Sequence, residues 1–339
     1  MKKNSEKFFQ SLCNRGSNFL GAKYPIMGGA MTWVSENNLV SSISNSGGFG
    51  VIACGAMNPD QLEKEIDLTL KKTNKPFGVN LILMHPEINN LIDLCVRKKI
   101  GYVVLAGGFP KKQQILELKK NKVKTITFAS TIGIAKKMVS NGIDALVIEG
   151  SEAGGHIGPV STNVLAQEIL PYINEVPVFV AGGIGRGEIL VNYLQMGAAG
   201  CQIGTQFVCA TESIAHENFK QVFIKSDSRS AKVSLQLDER LPVIPVRAIA
   251  NKASKKFMDE QKKILLKLDK KQISLNEARL KVEHFWSGAL KKAVIDGDIE
   301  NGSLMAGQSV SLVKKIEPVE SILKTILDDA KKYCDKISK

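Results

Sequence analysis

VFVAGGIGRGEILVNYLQMGAAGCQIGT, residues 178–205, holds one complete unit of a repeating architecture. Val178–Ala181 is a short apolar run without in/out alternation, the pattern of a strand buried on both faces. Gly182, Gly183 and Gly185 follow it, Arg186 and Gly187 start a helical segment, and a second apolar run at 200–203 ends in Gly204 and Thr205. Strand, glycine loop, helix, strand predicts a βαβ crossover between parallel strands.

The same rhythm runs back toward the N-terminus. Apolar runs at 24–27, 49–53, 77–83, 102–106, 125–129 and 145–148 precede this unit and bring the strands to eight. Helical segments lie between them. Asn58-Pro59 supplies an N-cap and a Pro-first start, with Leu62, Ile66 and Leu70 on one face. His85-Pro86 and Phe109-Pro110 predict the next two helix starts, and Thr162 a later one. Eight βα units predict an α/β fold, a (β/α)8 TIM barrel. A doubly wound open sheet fits less well, because no G-x-G-x-x-G follows the first strand with an acidic residue about 20 positions on. Glycines instead follow many strands: Gly28-Gly29, Gly55, Gly107-Gly108, Gly150, Gly182-Gly183 and Gly204. A barrel builds its site from many such loops on one face.

Beyond Gln206 the rhythm changes. Residues 226–300 contain little strand signal beyond 241–246, and two strong helical segments. The second opens with a capping box, Ser274 with Glu277, and carries Leu275, Ala278, Val282, Phe285, Trp286, Ala289 and Ala293 on one face before Gly297. That aromatic stripe reads as packing rather than a cofactor box. The expected organisation is a barrel at 1–225, a smaller helical lid domain inserted near the C-terminus at 226–300, and a return loop with a final helix at 301–339.

Bulk chemistry narrows the class. The 46 basic and 33 acidic residues give a net charge of +13, which suits an anionic partner or, more plainly, lysine-rich solvated helices. No stretch mixes aromatics with arginine as a nucleic-acid groove does, so no nucleic-acid partner is expected. Cys13, Cys54, Cys95, Cys201, Cys209 and Cys334 are scattered without C-x-x-C spacing, which argues against disulfides and a cysteine-based zinc site and fits a reducing compartment. The basic N-terminus lacks the apolar core of a signal peptide, and no run approaches bilayer length. A cytoplasmic protein with no membrane partner is expected.

Three features carry chemistry. The first is Glu149-Gly150-Ser151-Glu152-Ala153-Gly154-Gly155-His156-Ile157-Gly158, directly after the sixth strand. Its glycines, among them Gly154 and Gly155, let backbone approach a flat or phosphorylated ligand, and His156 stands at the barrel mouth as a group suited to moving protons near neutral pH. The second is the pair of loops after strands seven and eight, with Gly182 and Gly183 in one and Gln202, Ile203, Gly204 and Thr205 in the other. Barrels commonly bind phosphate there with backbone N–H groups. The third is Asn80 inside the apolar third strand; a buried amide needs partners, and either the edge of an isoalloxazine ring or neighbouring backbone supplies them. His85, His216 and His284 read as surface or packing residues, and no metal-ligand spacing occurs.

The E-A-G-G-H-x-G core at Glu152–Gly158, with 181–184 and 202–205, resembles the nitronate monooxygenase (2-nitropropane dioxygenase) family, which includes the flavin-dependent enoyl-ACP reductases. The resemblance extends to 24–26, 77–80, 245–249 and 302–308 and so spans nearly the whole chain. It implies FMN as cofactor, a barrel with a lid, and His156 as the catalytic residue. By position it implies that Asn80, Glu149, Gly154, Gly183, Gln202, Ile203, Gly204 and Thr205 contact FMN, with Met27, Gly28 and Gly29 beside the ring. Many nitronate monooxygenases carry Gln in place of Glu149, where the enoyl reductases match better, and the first loop (27–33) matches neither branch.

Two enzymatic readings follow. In one, an alkyl nitronate is oxidised through FMN with O₂. In the other, NAD(P)H serves as reductant, and a 2-enoyl thioester, carried by an acyl carrier protein that the lid lysines Lys252, Lys255, Lys256, Lys262 and Lys263 could attract, is reduced. A third, a barrel that binds a phosphorylated ligand without turnover, would tolerate His156→Ala. The nitronate reading leads, with a homodimer as a candidate assembly.

Overall fold

The computed structural model describes residues 2–239 and 245–337, with the side chains of 2–5, 279, 283, 284 and 287 outside that description. Its strands in chain order are β1 (Ile26–Gly28), β2 (Gly50–Ala53), β3 (Phe77–Ile82), β4 (Tyr102–Ala106), β5 (Lys124–Phe128), β6 (Ala145–Glu149), β7 (Gly155–His156), β8 (Val178–Ala181), β9 (Gly200–Ile203), β10 (Ala231–Val233), β11 (Val246–Ile249) and β12 (Leu304–Met305). Eight of them form one parallel sheet in the order β1-β9-β8-β6-β5-β4-β3-β2. A parallel bridge between Met27 and Phe49 closes the ring, with Gly28 N–H donating to Phe49 O at 2.8 Å and Phe49 N–H to Ile26 O at 2.9 Å. The fold is a (β/α)8 barrel, and each barrel strand lies within two residues of its position in the sequence pattern.

Alternation along each strand then decides what fills the barrel. Met27, Val51, Val104, Ile126, Val147 and Phe179 pack into one buried interior cluster with Phe49 and Tyr102. Gly200 makes room for it: a Cβ there would stand 2.2 Å from Pro25 O and 2.9 Å from the Phe179 ring. The helix Lys2–Leu20, which the sequence pattern above leaves unassigned, reaches the same cluster through Leu20 and Phe19. It plugs the N-terminal end of the barrel, where Tyr102 Oη and Lys124 Nζ both donate to Phe19 O at 2.7 and 2.8 Å.

Helix starts follow their local chemistry. Asn58 and Gln61 form a reciprocal capping box before Pro59–Lys72. Pro86 and Pro110 instead lie ahead of the helices Ile88–Arg97 and Lys112–Lys120 rather than at their first positions. The final helix, Val319–Ile337, packs on the helices Gly187–Gln195 and Lys2–Leu20.

Residues beyond the barrel bring strand as well as helix. β10, β12 and β7 all pair antiparallel with β11 in a second, small sheet. The strand signal at 241–246 falls mainly on 241–244, outside the described residues; the observed strand begins at Val246. The helices Lys252–Asp269 and Leu275–Val294 pack through Phe257, Ile264, Ala278, Val282 and Trp286, and the Ser274–Glu277 capping box starts the second. No helix among the described residues is long and apolar enough to cross a membrane.

Candidate active site

The inward positions at the C-terminal ends of the strands hold polar side chains: Asn80 on β3, Glu149 on β6 and Gln202 on β9. Register sets Glu149 and Gln202 at comparable height, since Glu149 pairs with Ala181, which pairs with Gln202. Above them the loops enclose a chamber of about 470 Å³, a size usual for small-molecule sites. Gly29, Asn80, Glu149, Gly154, Gly155, His156, Gly182, Gly183, Gln202, Ile203, Gly204 and Thr205 all line it. Met27 and Gly28 do not. Met27 is fully buried in the barrel interior, and Gly28 packs on Ile43, whose Cδ1 would lie 2.7 Å from a Cβ there.

The structure adds wall residues that the sequence pattern did not single out. Ala30, Met31 and Thr32 come from the loop after β1, Phe109, Phe128 and Ser130 from those near β4 and β5, and Phe219, Leu290, Met305 and Ser309 from beyond the eighth barrel strand. Strand alternation alone would have found Phe128, two residues beyond the interior Ile126. Leu290 carries no local signal, because only tertiary folding brings it back over the barrel, whereas Met305 lies in the 302–308 stretch of the resemblance.

Each polar group has a definite environment. Asn80 is buried and donates from Nδ2 to Val104 O at 3.1 Å, so its amide is tied to β4 while lining the chamber. Glu149 is reached only from the chamber, and burial pushes its carboxyl up to about 8. Its side chain has no hydrogen-bond partner among the described residues, so its surroundings favour the neutral, hydrogen-donating form. Gly182 adopts φ +100°, and a Cβ on it would lie 2.8 Å from Thr162 Oγ1. That hydroxyl is 2.9 Å from Glu152 Oε2 and 3.2 Å from Gly182 O, and the same carboxylate oxygen accepts the Thr162 N–H at 2.8 Å. The loops after β6 and β8 are thereby locked together. Thr205 Oγ1 accepts the Gly307 N–H at 3.1 Å, which ties the loop after β9 to the return segment.

His156 is exposed at the chamber rim. Its backbone is held as strand opposite Val246, and the next N–H, of Ile157, donates to Pro245 O at 2.9 Å. His85 and His216 have local jobs instead: each Nδ1 accepts a backbone N–H, from Glu87 and Asn218, at 3.1 Å. All six cysteines are free and buried, and burial pushes the Cys54 thiol up to about 12. Among the lysines beyond the barrel, Lys252 pairs with Glu300 at 2.9 Å, Lys263 with Glu260 at 2.6 Å, and Lys262 with Asp259 at 3.6 Å. Local carboxylates therefore offset part of that positive face. The whole arrangement offers closely approachable backbone at one end of the chamber, neutral polar groups on its floor and an imidazole at its rim.

The family model for nitronate monooxygenase matches residues 14–329. A hydroxy-methyl-oxo-octahydro-indene-carboxyl-CoA dehydrogenase of Rhodococcus jostii is 30% identical, with 94% of this chain and 96% of that protein covered. A Staphylococcus aureus protein named "Probable nitronate monooxygenase" is 28% identical, covering 93% of this chain and 96% of its own. Among solved structures, FabK from Thermotoga maritima superposes with a TM-score of 0.85 at 34% identity, covering 96% of this chain and 98% of that one. Nitroalkane oxidase from Streptomyces ansochromogenes shares the fold, with a TM-score of 0.77 at 22% identity over 95% of this chain and 99% of that one.

Proposed function

The chain belongs to the nitronate monooxygenase family of oxidoreductases, and from that premise we propose an FMN-dependent enzyme that oxidises alkyl nitronates with O₂. One observation carries the reading: a single chamber unites the glycine loops after β8 and β9, the polar floor and His156. The donor set suits FMN. Backbone at Gly182, Gly183, Gly204 and Thr205 would hold the phosphate, with Gly182 and Gly183 in the positive-φ conformation that glycine adopts readily. Asn80, Glu149 and Gln202 would meet the polar edge of the ring, with Gly29, Gly154 and Gly155 alongside. Bound FMN would supply the electron transfer between substrate and O₂.

The chain's own residues do the rest. Protonated Glu149 donates a hydrogen bond without placing a second negative charge beside an anionic substrate. His156 orients the nitronate oxygens at the rim and handles the proton. Phe128 and Leu290 supply apolar wall that shields the reacting centre from water. Residues 226–300 serve as the lid, and the unpaired buried cysteines favour a cytoplasmic setting.

A second reading, reduction of a 2-enoyl thioester by NAD(P)H, is favoured by the 34% identity to FabK, an enoyl-ACP reductase. An acyl carrier protein would then be the partner. The two separate in one assay. Purified FMN-loaded protein is given propionate 3-nitronate in air, and separately NADH or NADPH with a crotonyl thioester. Oxygen uptake with the nitronate is expected. NAD(P)H consumption with the thioester and no oxygen uptake would replace the first reading by the second.

A further inference from the structure

His156 is separated from β6 by a loop that ends in two consecutive glycines. Gly154 and Gly155 stand immediately before it, and Gly155 adopts φ +82°, so the strand below transmits little orientation to the imidazole. The constraint comes from the far side. β11 pairs antiparallel with β7, Val246 opposite His156 and Arg247 opposite Gly155. Arg247 is 7% exposed, and its Nε donates to Ser151 O at 2.7 Å while Nη1 donates to Ala231 O at 2.6 Å. One guanidinium therefore clamps the loop after β6, just before the hinge, to the strand that holds the residues just after it. Burial lowers the affinity of this side chain for its proton, and the Glu152 carboxylate nearby works against that loss. Glu152 is itself fixed by Thr162, and its carbonyl accepts the Gln308 N–H at 2.9 Å. The clamp is built on a rigid base.

We propose that Arg247 is the positioning residue for His156, fixing the imidazole at the chamber rim by tying Ser151, ahead of the Gly154-Gly155 hinge, to β11, whose backbone pairs with Gly155 and His156. The proposal rests on His156 acting as the proton-handling group. Lysine cannot reproduce the fork that reaches two separate carbonyls, though it keeps the charge. Arg247→Lys is therefore the informative variant, and Arg247→Met is its charge-free companion.

The test is a double-mutant cycle on the FMN-loaded enzyme, using turnover with whichever substrate the assay above identifies. Arg247→Lys is expected to lower kcat about tenfold or more with His156 present, and to change it less than twofold in a His156→Ala background. A second measurement is independent of activity. The His156 ring resonance, assigned by its loss in His156→Ala, is expected to shift and broaden in Arg247→Lys while far-UV circular dichroism and flavin content stay at wild-type levels. An equal fall in kcat in both backgrounds, or an unmoved His156 resonance, overturns the proposal. If His156→Ala alone leaves turnover unchanged, the reading of His156 is what fails. Should Arg247→Met not fold, Arg247→Lys still decides.

Discussion

At the scale of single residues, two groups on the chamber make separate predictions, the exposed His156 and the half-buried Glu149. His156→Ala is expected to cut turnover by about 10²–10⁴, the usual worth of a general acid–base group; steady-state kinetics at saturating substrate check it. Glu149 makes a different prediction. Its folded-state value of about 8 lies above the ordinary 4.5, so between those pH values the unfolded chain has lost a proton that the folded chain retains. Stability of the flavin-free protein should therefore fall as pH rises through that window, by up to about 1.4 kcal/mol per pH unit. Urea denaturation at pH 5 and pH 8 should show a flatter dependence in Glu149→Gln, and equal slopes in the two proteins would refute the assignment. Both residues stand out in the sequence because they flank a glycine-rich loop after the sixth strand, and both line the chamber. Met27 and Gly28 lie outside the chamber lining because the first strand ends at Gly28, and residues from Gly29 onward turn into the chamber.

At the scale of elements, long apolar runs and capping boxes were readable, while very short strands were not. β7 is two residues long and glycine-containing, β12 is equally brief and β10 is one residue longer; their pairing is set by partners far away in the chain, which periodicity cannot register. What joins these pieces is testable at Asn251. It caps the helix Lys252–Asp269, accepting from Ser254 N–H, while its Nδ2 donates to Ile299 O at 2.7 Å and Gly302 O at 2.8 Å. Asn251→Ala removes the cap and both of those bonds, and should destabilise this region by about 1–3 kcal/mol. Amide hydrogen exchange would show faster exchange in 246–305 and little change in the barrel strands.

At the scale of the whole molecule, the barrel depends on close approach where Gly200 meets Pro25 O and the Phe179 ring. Gly200→Ala must displace backbone, not a flexible side-chain tip, and should cost about 3 kcal/mol or more, read as a lowered urea midpoint. The eight strands and their closed order could be anticipated because parallel strands buried on both faces leave unbroken apolar runs. The chamber's roof could not, because its residues reach the site only after the chain has left the barrel and come back. The β7–β11 pairing gives that return an order in time. His156 is made about ninety residues before Val246, the partner that holds its backbone, and Met305, Gly307 and Ser309 of the wall follow still later. During synthesis from the N-terminus, a nascent barrel complete through β9 would still lack both the clamp and the roof. Premature termination before about residue 250 would then leave a chain in which the imidazole is unaligned and the chamber open to water.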